Sequence, residues 1–208
     1  MSLYLQRTKL SGLPVLYYIN REDNQSMSRI INEYGLQSIR VSGTVNELDE
    51  QLPSGYDTHE LTRILSHLDA IRFWLTHSTS DMALISEDDL SMDTIIHWPF
   101  TWTEMVNTLP YYWDILQCST ENAELTLHPR TSKDGRCGSY LIRRTYAEKL
   151  MMLYTRGIKW HLYYSPSYSF TTEDVLFCPG VCFCLPVFVH TRNKIAYHHV
   201  MEAWLKNK

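Results

Sequence analysis

The chain has 208 residues, of which 44% are apolar and 20% are charged. This composition excludes an intrinsically disordered protein, because disordered chains carry too little apolar surface to form a core. With 19 Lys and Arg against 23 Asp and Glu, the net charge is −4. A nucleic-acid binder needs a basic surface to neutralise phosphates, so we expect no nucleic-acid partner. The length predicts one domain.

The first part of the chain alternates between strand and helix patterns. A nearly continuous apolar run at 13–19 predicts a strand that is covered on both faces. Apolar residues at helical spacing over 27–34 predict a helix, and Gly35 is suited to end it. A second strand is expected at Ser38–Val41. Residues 44–56 have no periodicity and predict a loop.

The pattern continues through a second helix and a third strand. Asp57 and Glu60, three positions apart, predict a capping box at the start of a helix whose apolar stripe runs over 61–75. The apolar run at 82–86 predicts a strand. Alternation of strand and helix within about 90 residues is typical of βαβ units and a parallel sheet.

The remainder of the chain is less regular but keeps the α/β character. It contains no internal repeat and no linker rich in Gly, Ser or Pro, so one α/β domain is expected. The pattern predicts strands at 113–118, Ser139–Arg143 and 158–164, and helices at 146–153 and 195–205.

Hydropathy and cysteine usage predict a cytoplasmic protein. The apolar run at 175–189 is shorter than a membrane-spanning helix, and residues 1–10 lack the apolar stretch of a signal peptide. The five cysteines are an odd number, which favours free thiols over a disulfide framework. Cys178, Cys182 and Cys184 lie close together, but structural zinc usually takes two separated ligand pairs. Buried thiols are therefore the favoured interpretation, and a zinc site is the alternative.

Glycine-rich motifs are missing from the sequence. The eight glycines form no G-x-G-x-x-G, no G-x-x-x-x-G-K-[ST] and no G-x-S-x-G. These absences argue against a Rossmann dehydrogenase, a P-loop enzyme and an α/β-hydrolase.

The acidic triplet Glu87, Asp88 and Asp89 follows the predicted third strand. Ligands of open parallel sheets bind outside the carboxyl ends of the strands. Three adjacent acids repel one another unless a cation lies between them. In extended chain Glu87 and Asp89 point to the same side, so they offer two oxygen ligands to Mg²⁺ or Mn²⁺, and a diphosphate can fill further positions. A solvated acidic loop is the alternative.

The sequence resembles glycosyltransferase family 25 over about residues 13–180. The blocks that carry the resemblance are L-Y-Y-I-N-R at 16–21, L-S-H at 65–67 and L-I-S-E-D-D at 84–89, with weaker ones at 114–116, 138–142 and 147–150. The resemblance implies a GT-A fold, with a Rossmann-like, mostly parallel central sheet flanked by helices. It implies a nucleotide and metal half over about residues 1–90 and an acceptor half over about 91–208 of a single domain.

The resemblance also implies an activity. The expected reaction moves a hexosyl group from a nucleotide-diphosphate sugar, with a UDP-sugar favoured, to a glycan or glycoprotein acceptor, with inversion at the anomeric carbon. The expected cofactor is Mn²⁺ or Mg²⁺, which would neutralise charge on the leaving diphosphate. The chain is further expected to be part of a larger multidomain protein and to have no membrane span.

The residue roles implied by the resemblance fall into a metal group and a donor group. Glu87 and Asp89 would hold the metal, and His190, which ends an apolar run, would complete its shell unless it is a core or surface histidine. The donor would be bound by Asn20, Arg21, Arg63 and Asp88. Arg63 stands where the family usually has glycine and cysteine, so contact with the nucleotide and a solvated helix position are both open.

An inverting transfer needs a base that takes the proton of the acceptor hydroxyl, and partial burial suits a carboxylate to that role. Asp174 matches the family's late acidic position and is the predicted catalytic base, with an ordinary surface acid as the alternative. His67 is expected to make a structural hydrogen bond. His198 and His199 are expected on the surface of the terminal helix.

Two other functions stay open at this stage. A metal-dependent phosphohydrolase of nucleotide sugars would use the same carboxylates and metal. A non-catalytic carbohydrate-binding module would use the aromatic side chains, of which the sequence has 6 Trp, 14 Tyr and 6 Phe. A glycosidase is weaker, because the acids cluster at one strand end instead of flanking a cleft.

Overall fold

The computed structural model describes residues 3–20, 25–42, 57–162 and 171–207. The helices are α1 (Leu3–Lys9), α2 (Gln25–Tyr34), α3 (Thr58–His77), α4 (Trp102–Asn107), α5 (Arg144–Tyr154), α6 (Thr172–Phe177) and α7 (Lys194–Lys206). The strands are β1 (Leu16–Ile19), β2 (Ser38–Val41), β3 (Met82–Glu87), β4 (Leu90–Ser91), β5 (Ile115–Ser119), β6 (His128–Pro129), β7 (Ser139–Arg143), β8 (Thr155–Arg156), β9 (Lys159–Trp160) and β10 (Cys182–His190).

A mixed central sheet carries the strands in the order β2-β1-β3-β7-β5-β10-β4, with β6 paired to β10. β1 is parallel to β2 and β3, and β10 is parallel to β5. β7 lies antiparallel between β3 and β5. The strands β2, β1, β3, β5 and β10 therefore run in one direction, and their carboxyl ends meet at one edge. This confirms the predicted α/β class and mostly parallel sheet, with β7 as the reversed strand inside it.

Two apolar clusters cover the two faces of the sheet. One cluster packs α3, α5 and α6 on the sheet, and Ile64, Leu68, Trp74 and Leu150 are fully buried within it. The other cluster lies under α2, α4 and α7 and is rich in tryptophan. Burial of both faces explains why the strand sequences read as continuous apolar runs.

Most of the predicted elements lie where the pattern placed them. α2 ends at Tyr34 as predicted, because Gly35 takes the left-handed φ of +67°. The predicted strand at 158–164 is reduced to β9, which pairs only with β8, and residues 163 and 164 lie outside the described residues. The predicted loop at 44–56 also lies outside them.

The predicted capping box of α3 is wrong. The Asp57 side chain caps the helix by accepting from the backbone N–H of His59. Glu60 instead accepts from the backbone N–H and the hydroxyl of Thr172, at 2.6 and 2.7 Å. Its carboxylate therefore joins α3 to α6, a contact between residues far apart in sequence.

Among the described residues, no helix is both long and apolar enough to cross a membrane.

Candidate functional site

A cavity of about 650 Å³ opens at the edge of the sheet where the parallel strands end. Its walls include Glu87, Ser119 and His190, which are the last residues of β3, β5 and β10. Asp89, two residues after β3, and Lys194, the first residue of α7, also line it. The acidic triplet thus lies at the strand edge where open α/β sheets bind their ligands.

Arg63 of α3 is the centre of a buried charge network at the base of this cavity. The residue is only 4% exposed. Its Nε donates to Oε1 of Glu87 at 2.7 Å, its Nη1 to Oε1 of Glu173 at 2.9 Å, and its Nη2 to the carbonyl of Cys137 at 2.7 Å. Arg63 is therefore buried and not a solvated helix residue, and its contact with the nucleotide stays a prediction.

Glu87 makes a second contact with α3, through His67. The Nε2 atom of His67 lies 3.3 Å from Oε1 of Glu87, and its Nδ1 lies 3.2 Å from the hydroxyl of Tyr140. Burial raises the pKa of Glu87, but the hydrogen bonds and charges of His67 and Arg63 outweigh burial and hold that pKa well below its usual range. Glu87 is therefore ionised at neutral pH, and His67 makes the expected structural hydrogen bonds.

The other two acids of the triplet have partners at the end of β10 and just beyond it. Asp88 is 1% exposed and forms an ion pair with Nη2 of Arg192 at 3.0 Å. Oδ1 of Asp89 lies 2.6 Å from Nδ1 of His190, and its Oδ2 accepts from the backbone N–H of Arg192 at 3.3 Å. Burial and the charge of Glu87 raise the pKa of Asp89, yet the hydrogen bond with His190 leaves that pKa below its usual value.

Each acid of the triplet therefore has its own basic partner within the chain. The sequence predicts a cation between the acids, and in the structure the side chains of Arg63, Arg192 and His190 each pair with one acid, Glu87, Asp88 and Asp89 in that order. These partners come from α3 and from the segment joining β10 to α7. No local sequence pattern indicates such pairs, because they join residues that only the fold brings together.

Glu87 and Asp89 are the two carboxylates that the sequence predicts as ligands of a hard divalent cation. Both line the cavity, and both contacts of Glu87 with its partners are made by Oε1 alone. Mg²⁺ is commonly held by one or two carboxylates together with phosphate oxygens. Among the described residues, Glu87, Asp89 and His190 do not form a group whose ligand atoms all lie within 4.8 Å of one another, so their role as metal ligands stays a prediction. A cation there would also relieve the repulsion between the two acids that raises the pKa of Asp89.

His190 lies beside this pair, and both nitrogens of its ring lie against other residues of the chain. Its Nδ1 contacts Asp89, while its buried Nε2 has no hydrogen-bond partner among the described residues. A Cβ on Gly138 would lie 2.4 Å from Nε2, so the ring packs closely against that glycine. In this conformation His190 orients Asp89, and its role as a metal ligand stays a prediction.

A second group of metal-ligand type lies apart from the triplet. Ligand atoms of His128, Asp134 and Cys184 all lie within 4.8 Å of one another, so they could hold a metal ion. In the structure Nε2 of His128 contacts Asp134 at 2.9 Å, and Asp134 also accepts from the N–H of Thr131. No spacing of these residues in the sequence indicates a metal site, and in the structure Asp134 is part of a hydrogen-bond network with His128, Thr131 and Asn122. Among the described residues, Cys178 and Cys182 belong to no metal-ligand group.

The remaining predicted residues differ in whether they line the cavity and in the contacts that they make. Asn20 follows β1, and its buried Oδ1 has no hydrogen-bond partner among the described residues. Arg21 lies outside the described residues. Asp174 forms the capping box of α6, where its Oδ2 accepts from the N–H and hydroxyl of Thr171, and it is not one of the residues lining the cavity. His198 and His199 are exposed, as expected.

The cavity also contains charged residues that sequence reasoning missed, among them Arg192, which pairs with Asp88. Arg136 and Lys194 line the cavity, are exposed, and form no ion pair among the described residues. Glu121 also lines it, and its Oε1 accepts from Nδ2 of Asn193 at 3.1 Å. Arg136 and Glu121 lie just outside β7 and β5, so a search for charged residues at strand ends would have found both.

Comparisons with known proteins give distant similarities of fold. No protein-family model and no curated protein matches this sequence. Among solved structures, the chain is similar to a protein from STIV at 10% identity and a TM-score of 0.48, covering 85% of this chain and 83% of that one. It is similar to a glycosyltransferase involved in the glycosylation of the major capsid of PBCV-1, at 9% identity and a TM-score of 0.46, covering 92% and 99%.

A third similarity is to the glycosyltransferase GlyE of Streptococcus pneumoniae, at 10% identity and a TM-score of 0.42, covering 98% of this chain and 58% of that one. Similarities this distant assign neither an activity nor a substrate. The resemblance of the sequence to the N-terminal glycosyltransferase domain of a multidomain chlorella-virus protein stays a prediction. Membership of glycosyltransferase family 25 stays a prediction.

Proposed function

We propose that the protein is a glycosyltransferase that moves a sugar from a nucleotide-diphosphate donor, with a UDP-sugar favoured, to a glycan acceptor with inversion. The observation that carries the proposal is the charge arrangement of one cavity. Glu87 and Asp89 line it together with Arg136 and Lys194, so oxygen ligands for a cation and basic groups for a diphosphate share one space. The family 25 resemblance of the 84–89 block adds support.

The carboxylates of Glu87 and Asp89 would hold Mn²⁺ or Mg²⁺, which would neutralise charge on the departing diphosphate. Arg136 and Lys194 can contact phosphate oxygens directly, since neither forms an ion pair among the described residues. Arg63 and Asp88 act through neighbours in this proposal, because each is buried and ion-paired. Asn20 and Arg21 remain proposed donor contacts.

The proposal is tested by measuring UDP release from UDP-glucose and UDP-galactose, with Mn²⁺ and a panel of glycan acceptors. We expect release that depends on an acceptor and falls at least about tenfold in Asp89→Asn, because a charge-assisted contact is worth about 1.5–3 kcal/mol. Glu148→Gln, an exposed acid on α5, is the matched control and should keep the wild-type rate.

The other outcomes separate the rival functions. Equal release of free sugar with and without acceptor would contradict transfer and indicate a phosphohydrolase. Glycan binding that survives chelation, with no release of UDP or GDP from any donor, would indicate a carbohydrate-binding module.

A further inference from the structure

Three carboxylates line the cavity, and they differ in their partners. Glu87 is ion-paired with Arg63, and Asp89 is bound to His190. Glu121 is exposed and has no basic partner among the described residues, because its contact is the uncharged amide of Asn193. A carboxylate that contacts only an amide keeps lone pairs available to a proton donor from the cavity.

The position of Glu121 is fixed from two sides. Its backbone N–H donates to the carbonyl of Asp134 at 3.1 Å, which holds the segment after β5 against the turn at Ser132–Asp134. Its carboxylate lies against Gly135, where an added Cβ would be 2.6 Å from Oε2. Gly135 also has a φ of +67°, so both its conformation and this contact favour glycine. A surface acid held this way loses less freedom on meeting a substrate than a free one.

Asp174, the base predicted from the sequence, is held differently. Its Oδ2 accepts two hydrogen bonds from Thr171 as part of the α6 capping box, and the residue is not among those lining the cavity. A base must come within hydrogen-bond reach of the proton that it takes. Glu121 meets that requirement for a substrate in the cavity.

From this geometry we infer that Glu121 is the catalytic base of the proposed transfer, an inference that rests on the proposed function. The acceptor oxygen forms the new bond to the anomeric carbon while the bond from that carbon to the diphosphate oxygen breaks. The electron pair of the broken bond leaves with the nucleoside diphosphate. The acceptor proton passes to the Glu121 carboxylate and then to solvent.

The test compares two nucleophiles in Glu121→Gln, which preserves side-chain size and can keep the contact with Asn193. UDP release from UDP-glucose and UDP-galactose is measured with the glycan acceptors and again with azide in place of the acceptor, since azide is an anion that has no proton to lose. We expect acceptor-dependent release to fall about 100-fold or more, the usual contribution of a general base. Azide-dependent release and UDP affinity should stay at wild-type values.

Glu124→Gln is the matched control, since Glu124 is exposed in the same segment and does not line the cavity. It should leave both rates unchanged. Normal acceptor-dependent release in Glu121→Gln would overturn the inference, as would an equal loss with both nucleophiles, which would indicate a role in donor binding. Loss of acceptor-dependent release in Asp174→Asn alone would restore the sequence prediction. A wild-type protein that neither binds nor releases UDP or GDP would contradict the proposed function itself.

Discussion

Two walls of the same cavity differ in how their charges are balanced. The paired wall (Arg63, Glu87, Asp89 and His190) has every charge bound to another side chain. The open wall (Glu121, Arg136 and Lys194) is exposed and has no ion pair among the described residues. The difference indicates that side-chain partners within the fold hold the charged groups of the paired wall in position, whereas the charges of the open wall are not neutralised by other described residues. Substitutions in the two walls should therefore affect different measurements.

The largest expected effect is the loss of stability in Arg63→Met, a substitution in the paired wall. Removing the guanidinium leaves the largely buried carboxylates of Glu87 and Glu173, each 14% exposed, without their cation, and breaking a buried ion pair typically costs about 3–5 kcal/mol. Urea unfolding should show this loss in the free energy of unfolding. Arg29→Met, which changes an arginine 85% exposed on α2, is the control and should change it by less than about 0.5 kcal/mol. Equal effects of the two variants would contradict the contrast between the walls.

A smaller loss of stability is expected for Gly138→Ala, which tests the packing of the paired wall. The new Cβ would lie 2.4 Å from the His190 ring, which cannot swing away without leaving Asp89. Overpacking of this kind costs about 1–3 kcal/mol. Thermal or urea unfolding measures the loss, and a variant as stable as the wild type would show that His190 is not held by this contact.

The open wall should respond in affinity and not in stability. Arg136→Gln and Lys194→Gln should each leave the free energy of unfolding within about 0.5 kcal/mol of the wild-type value, because both residues are exposed. Each should weaken UDP binding by about tenfold, the equivalent of 1.4 kcal/mol, if its charge contacts the diphosphate. Calorimetric titration with UDP measures this change. Unchanged affinity in both variants would place the diphosphate elsewhere.

The smallest expected effect is a pH dependence at the edge of the paired wall, where Glu60 lies 3.6 Å from Arg63. Burial raises the pKa of Glu60, but hydrogen bonds from Thr172 outweigh burial and leave that pKa lowered. A lowered carboxyl pKa stabilises the fold above the unfolded value of about 4.3, and the contribution is lost as the pH falls through the folded pKa.

Glu60→Gln should therefore be less stable than the wild type at pH 7 and equal to it at low pH, as measured by urea unfolding at both pH values. A difference that stays constant over this pH range would show that the ionised carboxylate of Glu60 is not the source of the effect.

The sequence predicts the regular part of the molecule better than the cavity. Runs such as Ser38–Val41 and Ser139–Arg143 are strands with the predicted bounds, because their apolar pattern is a local property of the chain. The position of the acidic triplet at a strand end was also predictable. The partners of the triplet were not, because Arg63 reaches it only after α3 packs on the sheet, and Arg192 only after β10 pairs with β4, the strand that follows the triplet. Glu60 does not complete the predicted capping box for the same reason. Its carboxylate accepts from the backbone N–H and the hydroxyl of Thr172, a residue that only the fold brings close to α3.

The most direct test of the proposed site is a crystal structure of the protein soaked with UDP and Mn²⁺. We predict the diphosphate between the two walls, in contact with Arg136 and Lys194, and an anomalous manganese signal at the carboxylates of Glu87 and Asp89. Manganese at His128 and Asp134 alone, or UDP bound outside the cavity, would contradict the proposal.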